Sequence, residues 1–244
     1  MQTFNITSRQ NPVIKSWLEL KKNKTSDFFF VEGEHLVKMA HDNGALFTYI
    51  SVNDANPYGV DHYVIHPSIV EKITDLKNSP GIFGVCKKHV ASLDFTKPIV
   101  FLDDLRDPGN LGTILRTGLA FDFINVVASP NSVNFYNDKV IMAGQGAHFR
   151  LNLVTMEFNQ LLQQAKKHGY QIVATSLKKA TPLETLTPSE KMVLVIGNEA
   201  RGVSNEVLEA ADQTIKISMS DAIESLNASI AAAIIMHAYY QKRF

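Results

Sequence analysis

The stretch IVFLDDLRDPGNLGTILRTGLAF, residues 99–121, decides the fold of this chain. It begins with the apolar run Ile99 to Leu102, continues through three aspartates and a Pro-Gly pair, and has an apolar helical period from Asn110. A buried strand that leads through a turn into a helix is the building unit of a parallel α/β sheet. We therefore expect an α/β fold in which the polar residues of this stretch lie at the carboxyl end of a strand, where such sheets bind ligands.

Two later stretches share one property with the first. VIGNEARG, residues 195–202, and ESLNASIAAAI, residues 224–234, also join glycine or asparagine to isolated polar side chains beside apolar runs. Glycine permits a positive φ and lets another group approach the backbone closely. Taken together, the three stretches predict a buried ligand site.

The polar residues of these stretches have both functional and plain structural interpretations. Arg116 follows Asn110 on one helix, so we expect both side chains at one edge of the sheet, where they would suit an anionic substrate. The alternative makes Asn110 a helix cap and Arg116 a surface ion-pair partner. Glu199 either binds a ligand, holds Arg116 in place, or is solvated in a left-handed turn. Ser225 and Asn227 are ordinary capping residues, and capping is compatible with ligand contact.

Composition sets wide limits on function. With 45% hydrophobic and 20% charged residues, the 244-residue chain has the composition of one large or two small globular domains. Zero net charge argues mildly against nucleic acid, since phosphate binders usually carry a basic surface. Residues 1–24 nevertheless hold five cations against the single anion Glu19, and form either a phosphate-contacting arm or a solvated surface helix. These cations are Arg9, Lys15, Lys21, Lys22 and Lys24.

Several classes of protein are disfavoured by what the sequence lacks. Cys86 is the single cysteine, which excludes a zinc site built on several thiolates, so we expect no metal. The Gly-x-Gly-x-x-Gly, phosphate-loop and Gly-x-Ser-x-Gly motifs are missing, which disfavours a Rossmann enzyme, an NTPase and an α/β-hydrolase. The first residues show no signal-like apolar run, and the apolar-rich run 228–240 is too short to cross a bilayer. We expect a soluble, cytoplasmic chain without a membrane partner.

The chain is expected to contain two domains. A turn-rich stretch, residues 87–98, separates a small α/β half from a half in which strands and helices alternate. We place an N-terminal domain at residues 1–93 and a C-terminal domain at residues 94–244. In the second domain we expect, among other elements, helices at 110–121 and 139–148 and a long alanine-rich helix from Ser225. That last helix is apolar on most sides, which is typical of a core or a subunit interface.

The three stretches, in this order, resemble the motifs of the SpoU/TrmH family of RNA ribose 2′-O-methyltransferases, in the SPOUT superfamily. NLGTILRTGLAF corresponds to the first motif, VIGNEARG to the second, and residues 217–233 to the third. ITSRQNPVIKSWLELK, residues 6–21, FFVEGEHLV, residues 29–37, and the Pro80-Gly81 before IFGV are similar to the family's N-terminal substrate-binding domain. The resemblance covers nearly the whole chain.

The resemblance implies a deep trefoil knot in the C-terminal domain, S-adenosylmethionine bound in the knot loops, and a homodimer formed through that domain. The RNA-facing catalytic residues of the family fall on Asn110, Arg116, Glu199, Ser225 and Asn227. The cofactor contacts fall on Ile196, Gly197, Asn198, Gly202, Ile217, Met219 and Leu226. The implied reaction is methyl transfer to a ribose 2′-hydroxyl of RNA, with ribosomal RNA preferred over transfer RNA as the substrate.

We expect Arg116 to stabilise the developing oxyanion electrostatically, because a guanidinium with a pKa above about 12 is a poor base at neutral pH. Met142 and Gly144 depart from the family pattern, since they stand where members commonly carry polar groups. This departure motivates an alternative, a catalytically silent RNA-binding or ribosome-assembly protein on the same fold. A small-molecule enzyme on an open α/β sheet is a third possibility, favoured only by the neutral net charge.

Overall fold

A computed structural model describes residues 1–23, 25–177 and 180–243 of the chain. It divides into two compact units: Met1–Val90 with Tyr136–Phe149, and Ala91–Phe135 with Arg150–Phe244. The segment 136–149 lies inside the second predicted domain in sequence but packs with the first unit. The Phe29 ring lies 4.9 Å from that of Tyr136 and 5.7 Å from that of Phe149, between ring centroids. The helical period of a segment does not show which of two cores the segment packs against. The domain bounds 1–93 and 94–244 stay a prediction.

The first unit is built on a five-stranded mixed sheet. Its elements up to residue 90 are β1 (Thr3–Ile6), α1 (Pro12–Lys22), β2 (Phe28–Glu32), α2 (Glu34–Asp42), β3 (Leu46–Ser51), β4 (Asp61–Ile65), α3 (Pro67–Ile73) and β5 (Ile82–Lys87). The strand order is β1-β4-β3-β5-β2, with β5 antiparallel to both of its neighbours and the other pairs parallel. Apolar clusters cover both faces, one around Trp17 and Phe83 and the other around Phe29 and Val37.

The remaining elements are β6 (Ile99–Leu102), α4 (Pro108–Ala120), β7 (Asn125–Ala128), α5 (Asp138–Gly144), β8 (Asn152–Thr155), α6 (Phe158–Lys167), β9 (Gln171–Thr175), β10 (Thr181–Pro182), β11 (Met192–Ile196), α7 (Asn205–Ala210), β12 (Gln213–Lys216) and α8 (Ala228–Arg243). Of these, α5 belongs to the first unit. The seven strands of the second unit form a parallel sheet in the order β10-β12-β9-β11-β6-β7-β8. The predicted α/β class with a parallel sheet is confirmed, and the trefoil knot stays a prediction.

The central strands of this sheet are apolar along their whole length. Every residue of β6, β7 and β11 is buried, as expected where helices cover both faces of a parallel sheet. On one face, Phe158 and Leu161 of α6 pack with Val207 of α7 against the strands. Elsewhere in the unit α8 packs on α4. The polar residues that follow the strands are thereby held at the edge of a rigid layer.

Two predicted helices differ from the observed ones at their ends. The helix expected from Asn110 begins at Pro108, because the Asp107 carboxylate accepts a hydrogen bond from the Asn110 amide at 2.7 Å and proline suits the first helical position. The helix expected at 139–148 ends at Gly144. Gln145 has φ 47° and Gly146 φ 89°, and a left-handed backbone stops an α-helix.

Candidate active site

A cavity of about 450 Å³ opens at the carboxyl ends of β9, β11 and β12, which are neighbours in the parallel sheet of the second unit. Its walls come from residues 175–177, 196–205, 215–219 and the start of α8. The carboxyl edge is where α/β sheets bind ligands, and pockets for small molecules measure about 300–1,000 Å³. The position and size of the cavity are therefore those of a small-molecule site.

The loop after β11 is folded too tightly to carry a side chain at its first position. A Cβ atom on Gly197 would lie 2.3 Å from the backbone carbon of Gly202 and from the nitrogen of Val203, far inside van der Waals contact. Asn198 and Gly202 exchange two backbone hydrogen bonds, of 3.0 and 2.9 Å. Gly202 has φ 71°, which glycine adopts without strain. The glycines of the second motif thus let the loop fold back on itself at the cavity wall.

The structure brings all of the predicted cofactor residues to this cavity. They are Ile196, Gly197, Asn198, Gly202, Ile217, Met219 and Leu226. The side chain of Asn198 is already used inside the loop, because its Nδ2 donates to the Asp104 carbonyl at 2.7 Å and its Oδ1 accepts from the Ala200 and Arg201 amides. Asn198 therefore shapes the wall, and whether each of the seven residues contacts a cofactor stays a prediction.

One buried amide joins the three sequence motifs. The Nδ2 of Asn110 donates to Glu199 Oε1 at 3.1 Å, and its Oδ1 accepts from Asn227 Nδ2 at 2.9 Å. Asn110 contributes the first motif, Glu199 the second and Asn227 the third. Because Glu199 also lines the cavity, we name Asn110, Glu199 and Asn227 the polar cluster and place it beside the cavity wall.

The Glu199 carboxylate is held as an anion by hydrogen bonds. It accepts from the backbone amides of Asp107 at 3.0 Å and Arg106 at 3.3 Å, as well as from Asn110. Partial burial would raise the pKa of Glu199, but the donors from Asn110 and the backbone outweigh it, and the pKa lies below its usual value. Glu199 therefore stays ionised at neutral pH without a cationic partner.

Arg116 lies apart from the polar cluster. Asn110 is buried, whereas Arg116 is exposed and makes no hydrogen bond or ion pair with any other residue that the structure describes. Six residues along a helix turn a side chain by about 240°, so the two point in different directions. No bond joins Glu199 to Arg116 among the described residues, so Glu199 does not hold Arg116 within a single chain. The expectation that Asn110 and Arg116 serve one edge of the sheet stays a prediction. Arg116 is left open to a ligand from outside the chain.

The two predicted residues of the third motif differ in their surroundings. Asn227 caps α8, since its Oδ1 accepts from the Ser229 amide at 2.9 Å and the Ser229 hydroxyl at 2.7 Å. It therefore combines capping with its bond to Asn110, and α8 begins at Ala228 and not at the predicted Ser225. Ser225 is exposed and lines the cavity without a hydrogen bond to the polar cluster. Its role stays a prediction.

Sequence reasoning missed two parts of this edge. Thr175, the last residue of β9, lines the cavity together with Ser176 and Leu177, and the signal available was the change from apolar to polar residues at the end of the strand. Asp104, after β6, has φ 57° and forms ion pairs with both Arg106 and Arg201. The paired aspartates at the end of a buried strand were the visible signal for that group.

Within residues 1–23, 25–177 and 180–243, no group of histidine, cysteine and acidic side chains is arranged to hold a metal ion. The same residues include no helix with the length and apolar character needed to span a bilayer. A cavity and a polar cluster at the carboxyl edge of a parallel sheet are typical of an α/β enzyme that acts with a small organic molecule.

Comparison with known proteins identifies the family. The sequence model of the SpoU rRNA Methylase family matches residues 97–237. The chain is 30% identical over 241 residues to the 23S rRNA (guanosine(2553)-2′-O)-methyltransferase RlmP of Bacillus subtilis, an alignment that covers 95% of this chain and 97% of the relative. The match to the family extends over more than half of the chain, which belongs to the SpoU rRNA methylase family and is a methyltransferase.

Solved structures share the fold along the whole chain. An AdoMet-bound rRNA methyltransferase from Sinorhizobium meliloti superposes with a TM-score of 0.88 at 24% identity, covering 99% of both chains. The SpoU methyltransferase AviRb from Streptomyces viridochromogenes, in complex with AdoMet, gives a TM-score of 0.85 at 20% identity and covers 96% of this chain and 98% of that one. These structures show the fold, and the family model and the Bacillus subtilis relative confirm the family resemblance of the three motifs.

Proposed function

We propose that the chain transfers a methyl group from S-adenosylmethionine to a ribose 2′-hydroxyl of RNA, and that the RNA is ribosomal. The observation that carries the proposal is the position of Glu199, which lines the cavity and at the same time binds Asn110 of the polar cluster. A methyl donor in the cavity and a ribose at the polar cluster would meet at this residue. The Bacillus subtilis relative, whose name specifies a ribose 2′-oxygen of 23S rRNA, supports the choice of substrate.

The residues of the cavity fit S-adenosylmethionine. Ile196, Ile217, Met219 and Leu226 offer apolar surface to a purine, and the glycine-bearing loop 197–202 brings backbone groups close to the ligand. When bound, the cofactor supplies a methyl group on a positively charged sulfur. The chain itself has to hold the acceptor hydroxyl in line with that methyl and exclude water, and such alignment contributes several kcal/mol, roughly, to catalysis.

Each polar residue has a distinct task in this proposal. Asn110, fixed on two sides by Glu199 and Asn227, orients the ribose, and Ser225 lies where it can contact the substrate at the cavity rim. Arg116 stabilises the negative charge that develops on the 2′-oxygen or pairs with a phosphate. Selection of RNA over DNA follows from the need for a 2′-hydroxyl.

We also propose that two copies of the chain pair through the second unit. On α8, Ile230 is 50% exposed and Ile234 38% exposed, and residues four apart lie on the same face of a helix. Exposed apolar side chains at this spacing form a stripe that a second copy would cover. Pairing would also bring the exposed Arg116 of one copy within range of groups outside its own chain. We further propose a cytoplasmic location, because the proposed substrate is ribosomal RNA.

The alternative of a catalytically silent RNA-binding protein was motivated by Met142 and Gly144, which lie in the first unit. Met142 packs against the apolar cluster around Phe29 and Val37, and Gly144 is buried. These contacts support a packing role for the two positions, and their effect on RNA binding stays open.

As for the N-terminal cations, Arg9 forms an ion pair with Glu71 and Lys21 with Asp75, so part of the charge is used within the unit. Lys24 lies outside the described residues. A phosphate-contacting arm formed by residues 1–24 stays a prediction.

The proposed function is tested by incubating the protein with methyl-labelled S-adenosylmethionine and unmodified transcripts of 23S, 16S and transfer RNA. We expect label in 23S rRNA, and mass spectrometry of nuclease digests to find it on a ribose 2′-oxygen. Isothermal calorimetry with S-adenosylmethionine alone separates the alternatives, since a silent RNA-binding protein would give no heat of binding. Label on a base, or on transfer RNA only, would contradict the proposal.

A further inference from the structure

Asp104 occupies a fixed position beside the candidate active site. Its backbone is left-handed, with φ 57°, a conformation that aspartate tolerates better than most residues. Its amide donates to the Ser129 hydroxyl at 2.9 Å, and its carbonyl accepts from Asn198 Nδ2 at 2.7 Å. With both backbone groups bonded, the Asp104 carboxylate is held at a defined place between the loops that follow β6 and β11.

Two arginines converge on this carboxylate. Arg106 donates from Nε to Asp104 Oδ1 at 2.6 Å, and Arg201 donates from Nη2 to Oδ2. The Asp104 side chain is 17% exposed, whereas those of Arg106 and Arg201 are 62% and 71% exposed. Each guanidinium uses one nitrogen on Asp104, and its other two bind no group in the part of the chain that the structure describes. One carboxylate therefore orients two cations whose remaining donors face solvent.

The pair lies at the edge where the ribose is proposed to bind. Arg201 lines the cavity, and the backbone amide of Arg106 donates to Glu199 of the polar cluster at 3.3 Å. The other carboxylates nearby are occupied by backbone amides: Asp103 accepts from Ser204 at 2.7 Å, and Asp107 caps α4. Asp104, Arg106 and Arg201 together carry one net positive charge, and Arg201 lines the cavity beside the ionised Glu199.

We propose that Arg106 and Arg201 bind a phosphate of the RNA strand next to the ribose that is methylated. Guanidinium groups recognise phosphate oxygens through paired, charge-assisted hydrogen bonds, and their fork suits this geometry better than lysine does. In RNA the 3′-phosphate of a nucleotide lies beside its own 2′-hydroxyl, so a ribose at the polar cluster carries a phosphate toward this surface. The inference rests on the proposed function and assigns it a substrate contact.

A purely structural role accounts poorly for the arrangement. Exposed ion pairs add little to stability, because water screens them and ordering two long side chains costs entropy. The loops are already joined by the bond from Asn198 to the Asp104 carbonyl and by the bonds of Glu199 to backbone amides. Two arginines on one carboxylate are not needed to hold them.

The test uses the variants Arg106→Gln and Arg201→Gln, alone and together. Lys167→Gln is the matched control, because it removes one exposed charge from the same unit at the end of α6, which leads into the amino end of β9. We expect each arginine variant to raise the KM for an unmodified 23S rRNA transcript about tenfold, with kcat and the Kd for S-adenosylmethionine within about twofold. The magnitude of the slope of log binding constant against log salt concentration should decrease by about one in the double variant, because the two arginines neutralise a single phosphate, and should not change in the control.

A further variant tests whether the carboxylate orients the pair. Asp104→Asn keeps a residue that accepts a left-handed backbone but removes the charge that gathers the two guanidiniums. We expect KM for RNA to rise although the net charge becomes more positive, whereas simple charge attraction would lower it. A lower KM would overturn the orienting role.

Unchanged KM and salt slope in the double variant would overturn the phosphate site. A fall in thermal stability together with lost cofactor binding would do so as well, because it would show a structural role. Should the wild type methylate none of the RNAs, the proposed function fails, but the salt slope measured by filter binding of the same transcript still decides on the arginine pair.

Discussion

At the scale of single residues, a substitution of Arg116 should affect catalysis without affecting the stability of the fold. It is exposed and makes no bond with other described residues, so removing its side chain costs the fold little. We expect Arg116→Ala to abolish methyl transfer to RNA while the melting temperature stays within about 1 °C and the affinity for S-adenosylmethionine stays within about twofold. Radiometric transfer assays, thermal melting and calorimetry measure the three quantities. Retained turnover in this variant would count against the assigned role.

Gly197 shows how the approach of two backbone segments builds the cavity wall. In Gly197→Ala the new methyl group would overlap backbone atoms of Gly202 and Val203, which cannot move aside like a side chain. We expect loss of cofactor binding and a decrease of at least about 2 kcal/mol in the free energy of unfolding. Gly202→Ala is the control in the same loop, since its Cβ would meet open space and only the left-handed backbone is strained, at about 1 kcal/mol. Equal effects of the two changes in urea unfolding would contradict the steric argument.

His62 makes the stability of the first unit depend on pH. Ser51 donates its hydroxyl to the Asn53 carbonyl, so His62 Nε2 is the donor to Ser51, and Nδ1 has no partner among the described residues. Burial lowers the pKa of His62 below its ordinary value of 6.5. As pH falls below about 6.5 the unfolded chain takes up a proton that the folded chain does not, and the free energy of unfolding decreases.

Urea unfolding at pH 7.5 and pH 5.5 measures this effect. We expect His62→Gln to show a smaller loss of stability between the two pH values than the wild type, because the titrating group is gone. His89→Gln is the control, since His89 is an exposed histidine of the same unit. An unchanged pH dependence in His62→Gln would assign the titration to another group.

Among the elements, α8 connects helix stability to the polar cluster through its cap. Asn227→Ala removes both the cap and the bond to Asn110, and we expect it to lower the free energy of unfolding by about 1 kcal/mol and to reduce methyl transfer. Asn227→Ser restores a capping oxygen but offers no amide that reaches Asn110. Stability should therefore recover in the serine variant while kcat does not. Full recovery of kcat would show that the bond to Asn110 plays no part in catalysis.

The sequences of the strands that form the cavity indicate that these strands are buried, but they do not indicate the order of the strands in the sheet. β9, β11 and β12 are neighbours although β10 and a helix intervene in the chain. Only this order brings residues 175–177, 196–205 and 215–219 to one cavity. The short strands β1 and β8 were not predicted, because they bury few side chains and form no apolar run.

For the molecule as a whole, the proposed pairing of two copies has a direct test. We expect Ile230→Asp combined with Ile234→Asp to shift the mass in sedimentation equilibrium from dimer to monomer, because the carboxylates would be buried without partners. Phe47→Asp is the control, since Phe47 is 58% exposed and belongs to the first unit, whereas α8 belongs to the second. A wild-type monomer, or a dimer in the double variant, would refute the proposed interface.

The sequence by itself determined the α/β class, the family and, through the family motifs, part of the set of residues that line the cavity. It could do so because apolar runs, glycine positions and motif order are local properties of the chain. Tertiary structure alone decided that Asn110 links Glu199 to Asn227, that Arg116 points away from them, and that Asp104 gathers Arg106 and Arg201. It also decided that residues 136–149 join the first unit. These outcomes depend on the angle at which a side chain leaves its helix and on strand order, which bring together residues that are far apart in the chain.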